Sequence, residues 1–508
     1  MPQASPPAVP EPSAGAGARY ERLTLAIVFA AVMMTAIDTT AVILALPTML
    51  SDLHTGLVTG VWIIMAYLLV LATLGTQVGR LGDMYGRVRM FNVGFFVFTL
   101  ASLLSGLAGN GAEIIAFRTI QGVGGAMLFA NSGAIVADTF PPRRRGMAYG
   151  LTGVGYSTGA IVGILLGGVL TTFVSWRWIF FLNLPIGLMA GLLAYRFLVE
   201  RSPRQVRRLD LVGMGLLTLG LVLVLITAAY TAGFGWSGSL AVALAAGVAS
   251  LAAFALWEAR FAHEPLLDFR ILRRWTLSAS ILAAFFQSTA NLAVLFVVIM
   301  YLQGVRGLSP FTASVLLVPG YLLGAFLAPF AGRSSDRHGA RIVASIGLAC
   351  QLGGILVYST LGTVTPLALV VVGSVVSGAG NSTFYPSNNS EVMAGAPEGA
   401  YGVASGLLRM FTTVGTVTSF ALALLVVSVS IPRSEAFAIF LGVLDLDARL
   451  DNAFITGMRA VFVVALALVL MSLVLSVLRG RRSFASAPGA GPGNVPVGGD
   501  PALATDPR

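Results

Sequence analysis

Long apolar stretches separated by short polar connections run through nearly the whole chain, and each stretch is about as long as a helix must be to cross a ~30 Å hydrocarbon core. Fourteen can be marked: 23–47, 58–78, 89–108, 111–137, 146–172, 177–198, 210–231, 238–259, 276–302, 311–331, 341–361, 365–391, 402–428 and 457–478. They predict an all-α polytopic membrane protein with 14 transmembrane helices. Residues 1–22 and 479–508 are rich in Pro, Ala, Gly and Ser, have little to bury, and read as disordered tails. The first apolar run follows a polar segment and is too long for a cleaved signal peptide, so it is expected to remain as an anchor.

Composition agrees with the pattern. With 56% apolar and 10% charged residues and a mean hydropathy of +0.87, a soluble globule is excluded. All 31 basic residues are arginine, and they concentrate in alternate connections: Arg80, Arg87 and Arg89, then Arg143 to Arg145, then Arg201, Arg204, Arg207 and Arg208, then Arg270, Arg273 and Arg274. By the positive-inside rule these connections and both termini are cytoplasmic, as in a multi-pass protein of the cell membrane. The net charge of +10 is then a topology signal, and no nucleic-acid partner is expected. Cys350 is the one cysteine, so no internal disulfide can form.

One half of the chain repeats the other. Gly79, Gly82, Asp83 and Gly86 recur as Gly332, Ser335, Asp336 and Gly339, shifted by 253 residues, with both outer glycines and the aspartate retained. Gly122, Gly124, Pro141, Gly146 and Gly150 recur as Gly378, Gly380, Pro397, Gly402 and Gly406, shifted by 256. Six helices joined directly to six more predict an offset of roughly 190–200 residues. The excess is about the length of the seventh and eighth stretches. Residues 23–198 are therefore expected to form an N-terminal six-helix bundle, 199–275 two inserted helices with their linkers, and 276–478 a C-terminal six-helix bundle. Duplicated helices in a chain this apolar mark a transporter, with substrate handled between the repeats.

The motif Gly79 to Arg87 resembles the loop between helices 2 and 3 of the major facilitator superfamily. Arg118-Thr119-Ile120-Gln121-Gly122-Val123-Gly124 resembles its fourth-helix motif, and Asp38-Thr39-Thr40 through Ala45-Leu46-Pro47 resembles the first helix of its fourteen-helix drug:proton antiporters. Trp176 to Gly187 and Glu264-Pro265-Leu266-Leu267-Asp268 are similar to the same branch. The resemblance covers about residues 23 to 478. It implies two bundles around a cavity that opens alternately to either side, and export of a lipophilic or cationic compound, such as a drug or toxic metabolite, against proton entry.

Asp38 lies inside the first stretch, where a carboxylate costs about 2.5–3.5 kcal/mol on insertion scales. Arg118 lies at comparable depth in the fourth, and the resemblance places both helices along the cavity. Asp38 is expected to alternate between protonation and pairing with Arg118 or a cationic substrate; a permanent structural ion pair is the alternative. Glu113, Asp138 and Glu391 fall near helix ends and read as interfacial. With a single central acid the simplest stoichiometry is one proton per substrate.

Gly159, Gly163 and Gly167, with Gly150 and Gly168, give the fifth helix a small-residue face suited to close packing. The spacing matches the antiport motif of the resemblance, except that Ile164 replaces the usual proline. The resemblance assigns Gly79, Asp83, Gly86, Arg87, Asp336 and Gly339 to a latch between bundles. Internal symmetry would set Asp83 against the thirteenth helix near Tyr401 and Asp336 against the fifth near Met147. Substrate contacts are expected among Tyr67, Gln121, Asn131, Phe286, Gln287, Asn291, Asn381, Tyr385 and Asn388, since amides and aromatics bind amphipathic molecules adaptably. Trp176 and Trp178 read as interfacial belt residues. No metal-ligand spacing and no cofactor motif is present, and His54, His263 and His338 all lie in loops, which argues against an enzyme. The expected partners are a small-molecule substrate, protons and the bilayer, with the chain acting as a monomer. A proton-coupled importer or exporter of a specific metabolite, or less readily a membrane sensor, remains open.

Overall fold

The computed structural model describes residues 14–201, 209–262, 272–396, 401–430 and 448–479. The helices are α1 (Ala14–Asp52), α2 (Leu57–Tyr85), α3 (Arg87–Leu107), α4 (Gly111–Thr139), α5 (Pro142–Phe173), α6 (Arg177–Phe197), α7 (Leu211–Phe234), α8 (Gly238–Arg260), α9 (Trp275–Met300), α10 (Pro310–His338), α11 (Ala340–Ser359), α12 (Ala368–Gly395), α13 (Tyr401–Ser430) and α14 (Ala448–Leu478). Among the described residues thirteen are long and apolar enough to cross a membrane. α13 is a 30-residue helix outside that set.

Local chemistry sets the helix ends. Asn110 accepts from the Glu113 amide at 2.9 Å while Glu113 accepts from the Gly109 amide at 2.8 Å, a reciprocal cap that starts α4. Asp210 and Ser309 cap α7 and α10. α6 has two segments, Arg177–Phe181 and Asn183–Phe197. Pro185 has no N–H for the Phe181 carbonyl, so the ladder opens between them. α1 begins at Ala14, inside the segment expected to be a tail. Its alanines favour helix, and Glu21 pairs with Arg144 at 2.7 Å, which fastens this turn to α5. At its other end α1 continues through Pro47 to Asp52, which accepts from Trp176 Nε1 at 2.9 Å and pairs with Arg177 at 2.5 Å. Trp176 is consequently buried instead of belonging to an interfacial belt, whereas Trp178 is exposed.

The duplication is visible in the packing. In the first bundle α1 packs on α5, α2 and α3 on α4, and α6 on α1 and α3; in the second, α9 packs on α13, α10 and α11 on α12, and α14 on α9 and α11. The bundles then meet along two seams that exchange under the same symmetry, α5 with α10 and α2 with α13. The inserted hairpin α7–α8 is asymmetric. α7 lies against both α2 and α13, with Gln77 Nε2 donating to the Asp210 carbonyl at 2.9 Å.

The repeated glycines have a backbone cause. A single residue separates α2 from α3 and α10 from α11, and these are Gly86 and Gly339, with φ of +110° and +91°. An L side chain is strained there. Gly339→Ala is expected to destabilise by about 1–2 kcal/mol. Gly86→Ala should cost more, because its Cβ would also stand 2.8 Å from the Glu200 carboxylate. That carboxylate accepts from the Val88 and Arg89 amides at the positive end of α3. Thermal unfolding in detergent checks the order of the two losses.

α5 is unbroken from Pro142 to Phe173, and Ile164 introduces no interruption. Gly155, Gly159, Gly163 and Gly167 pack in order on Phe29, Met33, Ile37 and Ala41 of α1. Each contact partner advances by four residues on both helices. The next glycine, Gly168, turns to α10, where a Cβ would stand 2.5 Å from Ser314 Oγ and 3.0 Å from the Pro310 carbonyl. One helix thus uses adjacent glycines to hold its own bundle and to approach the other.

Candidate functional site

Asp38 sits on the inner face of α1, wholly buried, and accepts three hydrogen bonds. The donors are Arg118 Nη1 at 2.5 Å, Gln121 Nε2 at 2.8 Å and Asn183 Nδ2 at 3.2 Å. Arg118 and Gln121 are three apart on α4 and share a face, and Arg118 Nη1 also donates to Gln121 Oε1 at 2.8 Å. Arg118 Nε donates to the Ile63 carbonyl of α2 at 3.2 Å, and its guanidinium lies 4.4 Å from the ring centre of Tyr67, one turn further along α2. Asn183 begins the second segment of α6 and also donates to Ser102 of α3 at 3.0 Å. The cluster therefore joins α1, α2, α3, α4 and α6.

A guanidinium and two amide groups thus satisfy the buried carboxylate. Asp38, Arg118, Gln121, Asn183 and Tyr67 are each no more than 1% exposed. In this arrangement the acid is sealed inside the first bundle.

The second bundle carries amides where the first carries charges. Gln287 Nε2 donates to Asn381 Oδ1 at 2.7 Å and to Gln351 Oε1 at 3.2 Å, and Gln351 Nε2 donates to Asn291 Oδ1 at 3.3 Å. Asn291 is the repeat equivalent of Asp38 at the 253-residue shift. Ser288 Oγ and the Tyr385 hydroxyl are 2.9 Å apart, and Phe286 packs edge-on against Phe285. Asn131 and Asn388 stand apart from both groups. Asn131 donates to Met127 of its own helix at 2.9 Å and faces Gly82 where α2 crosses α4. Asn388 donates to the Ser280 carbonyl at 3.1 Å and accepts from Arg479 at 2.6 Å.

At the expected latch, Arg87 bridges Asp83 at 2.8 Å and Asp138 at 2.6 Å, all three within the first bundle. Gly79 lies against Ala130. The side chains of Asp336 and Tyr401 lie outside the described residues, and Met147 is exposed. The two bundles join firmly at the opposite, arginine-poor face. There Gln303 Nε2 donates to the Leu44 carbonyl at 2.9 Å, the Phe311 amide to Thr172 Oγ1 at 3.1 Å, and Phe173 meets Phe311 edge-on.

Asn183, Ser102, Gln351 and Arg409 escape sequence reasoning. The amides and serine are polar residues in apolar runs, a signal shared with many packing residues. Arg409 is a charge eight residues inside α13, at a depth where a cation is costly in lipid.

Two bundles related by an internal repeat, with a buried charged cluster in one and a polar network in the other, define a membrane carrier of small molecules. The chain belongs to the Major Facilitator Superfamily, whose description matches residues 28–420. It is 34% identical over 316 residues to an uncharacterized MFS-type transporter of Mycobacterium tuberculosis, covering 62% of this chain and 54% of that protein. Similarity to the tetracenomycin C resistance and export protein of Streptomyces glaucescens is 33% over 398 residues, 77% of this chain and 73% of the other. A riboflavin transporter of Clostridioides difficile is 28% identical over 404 residues, 79% of this chain and 86% of the other. Among solved structures, a bacterial homologue of the human lysosomal transporter Spinster, inward-facing and occupied, superposes with a TM-score of 0.65 at 16% identity, covering 91% of this chain and 97% of that one.

Proposed function

We propose that this chain is a proton-coupled antiporter of the cell membrane that exports amphipathic small molecules by alternating access, as a monomer with both termini in the cytoplasm. The observation that carries the reading is the buried cluster at Asp38, the one carboxylate set deep among the helices of the first bundle and held by a neighbouring guanidinium. Proton arrival at Asp38 would release Arg118, Gln121 and Asn183 together. Because those donors sit on α4 and α6, titration of one atom would change the packing of α1 against two other helices. Export is favoured by the similarity to an antibiotic resistance and export protein; the similarity to a riboflavin transporter keeps import of a specific metabolite as the second reading.

With the arginine-rich connections in the cytoplasm, the bundles are closed at the outer face, as expected of an inward-facing arrangement. In that state the Asp83–Arg87–Asp138 bridge stays within one bundle, and its role as a latch would begin only when the inner face closes. In this arrangement Asp38 is sealed from a compound in the cavity, so a cationic substrate would reach it only once the cluster opens. A substrate panel in proteoliposomes with an imposed pH gradient tests the reading. Gradient-driven uptake in inside-out vesicles that a protonophore abolishes is the expected result. Transport indifferent to both gradient and protonophore would remove proton coupling.

A further inference from the structure

The repeat that sets Asn291 where the first copy has Asp38 exchanges a carboxylate for an amide, and the amide is half-buried where the acid is sealed. Asn291 lies near the middle of the 26-residue α9, and Asn381 near the middle of the 28-residue α12. On α9, Gln287, Ser288 and Asn291 share one face, and on α12 Asn381 and Tyr385 share another. The two faces meet, since Gln287 bonds to Asn381 and Ser288 to Tyr385. Tyr385 is within electrostatic reach of Tyr156 on α5, which also reaches Tyr67 of the first bundle and is 48% exposed. This meeting point therefore borders the space between the bundles.

The hydrogen bonds fix which way each amide points. Gln287 Nε2 uses both of its N–H groups, one on Asn381 Oδ1 and one on Gln351 Oε1, and Gln351 Nε2 donates to Asn291 Oδ1. Both asparagine oxygens are held by this network, which turns both Nδ2 groups away from it. Neither Nδ2 has a partner among the described residues, and neither is enclosed, whereas Gln287 and Gln351 are no more than 1% exposed. Reversing all four amides would keep the same three contacts but leave Gln287 Nε2 buried with two orphan N–H groups, in place of the one orphan oxygen, Oε1. Orphaned donors are rarer and more costly than an under-satisfied oxygen, so the arrangement with donors outward is the preferred one.

We propose that Asn291 and Asn381 present their Nδ2 groups to the cavity as a pair of donors for the substrate, and that the pair selects uncharged planar aromatic compounds carrying carbonyl oxygens, such as quinones and cyclic imides. This deepens the export reading and rests on it. A carbonyl oxygen accepts and does not donate, which matches amides whose own acceptor side is already taken. The donors carry no charge, so they suit an acceptor that carries none. Tyr385, one turn along α12 from Asn381 and half-buried, supplies ring area for stacking. Gln287 and Gln351 are positioning residues that set the direction of both donors without touching the ligand. A network that served only to join α9, α11 and α12 would use the asparagine oxygens and have no need of their Nδ2 groups.

The direct test compares two uncharged three-ring fluorophores at pH 8: lumiflavin, which has two ring carbonyls, and acridine, which has none. Binding to detergent-solubilised protein, read by anisotropy without any gradient, should be at least tenfold tighter for lumiflavin in the wild type. Asn291→Asp and Asn381→Asp keep an oxygen for the network and replace the outward donor by an acceptor. Each should weaken lumiflavin at least tenfold and leave acridine within threefold, while the protein remains monodisperse. Asn291→Leu and Asn381→Leu, which have no donor at any pH, should weaken lumiflavin as much. Equal wild-type affinity for the two probes, a measurement that needs no variant, overturns the donor pair and leaves proton-driven export standing. Undiminished lumiflavin binding in the Asp variants does the same, and shows that the amides only join helices. Asparagine-dependent binding of lumiflavin, without transport of it in proteoliposomes under an imposed pH gradient, supports the donor pair and overturns the export reading.

Discussion

Asp38→Asn is expected to reduce pH-gradient-driven transport to background and to make residual flux independent of pH, because an amide cannot carry the coupling proton. The same change has a structural cost. It leaves Arg118, 1% exposed, without its counter-charge, and breaking one side of a buried pair costs about 3–5 kcal/mol. Loss of transport alone would thus fit a coupling role or simple destabilisation. The double variant Asp38→Asn/Arg118→Gln separates them. Removing both charges should recover much of the lost thermal stability, since no ion is left unpaired, while proton-driven transport stays absent. If the double variant regains driven transport, Asp38 and Arg118 are a structural pair and coupling resides elsewhere.

The second large effect is expected at Gly159. A Cβ added there would stand 2.5 Å from the Met33 carbonyl and 3.0 Å from Met33 Cα, both backbone atoms of α1. No rotamer change can relieve a clash with main chain. Overpacking of this kind costs typically about 1–3 kcal/mol, and here it falls on the helix pair that positions Asp38. Gly159→Val should abolish transport and lower the unfolding temperature markedly. Gly153→Ala, on the same helix with nothing within 4 Å of the added carbon, is the control and should leave both properties unchanged. Normal transport in Gly159→Val would mean that α1 and α5 do not need this approach in either state of the cycle.

The two variants mark how much could be read from the chain alone. The helices, the repeat and the insertion are legible because a membrane span has a fixed length and a duplication leaves glycines at fixed intervals. Gly86 and Gly339 recur for a reason sequence can register but not explain, the positive φ at each one-residue junction. Asp38 and Arg118 stand out because charges are costly in lipid, and depth alone brings them together. Asn183 does not stand out. Its place in the cluster depends on the break before Pro185, beyond which the second segment of α6 packs against α1. Residues 14–22 are also misread, because an Ala-rich polar segment resembles a tail until Glu21 finds Arg144 across the bundle. Arg409 is the opposite case. Its charge inside an apolar run was legible, but the positive-inside reading of arginines draws attention to the loops.

The inserted hairpin gives the two seams different mechanical properties. α5 and α10 meet directly, whereas the seam of α2 and α13 is also bridged by α7. α7 is hydrogen-bonded at the α2 side through Asp210 and Gln77, and it presents an almost wholly apolar surface to α13. Such a contact resists sliding weakly but resists separation, because separation would open a gap in lipid. If the bundles rock during transport, the bridged seam would act as the preferred hinge line while the opposite seam swings. A transporter with two equal seams can yield along either. Here motion about one axis would be favoured, and a lipophilic compound entering sideways from the membrane would meet one doorway instead of two.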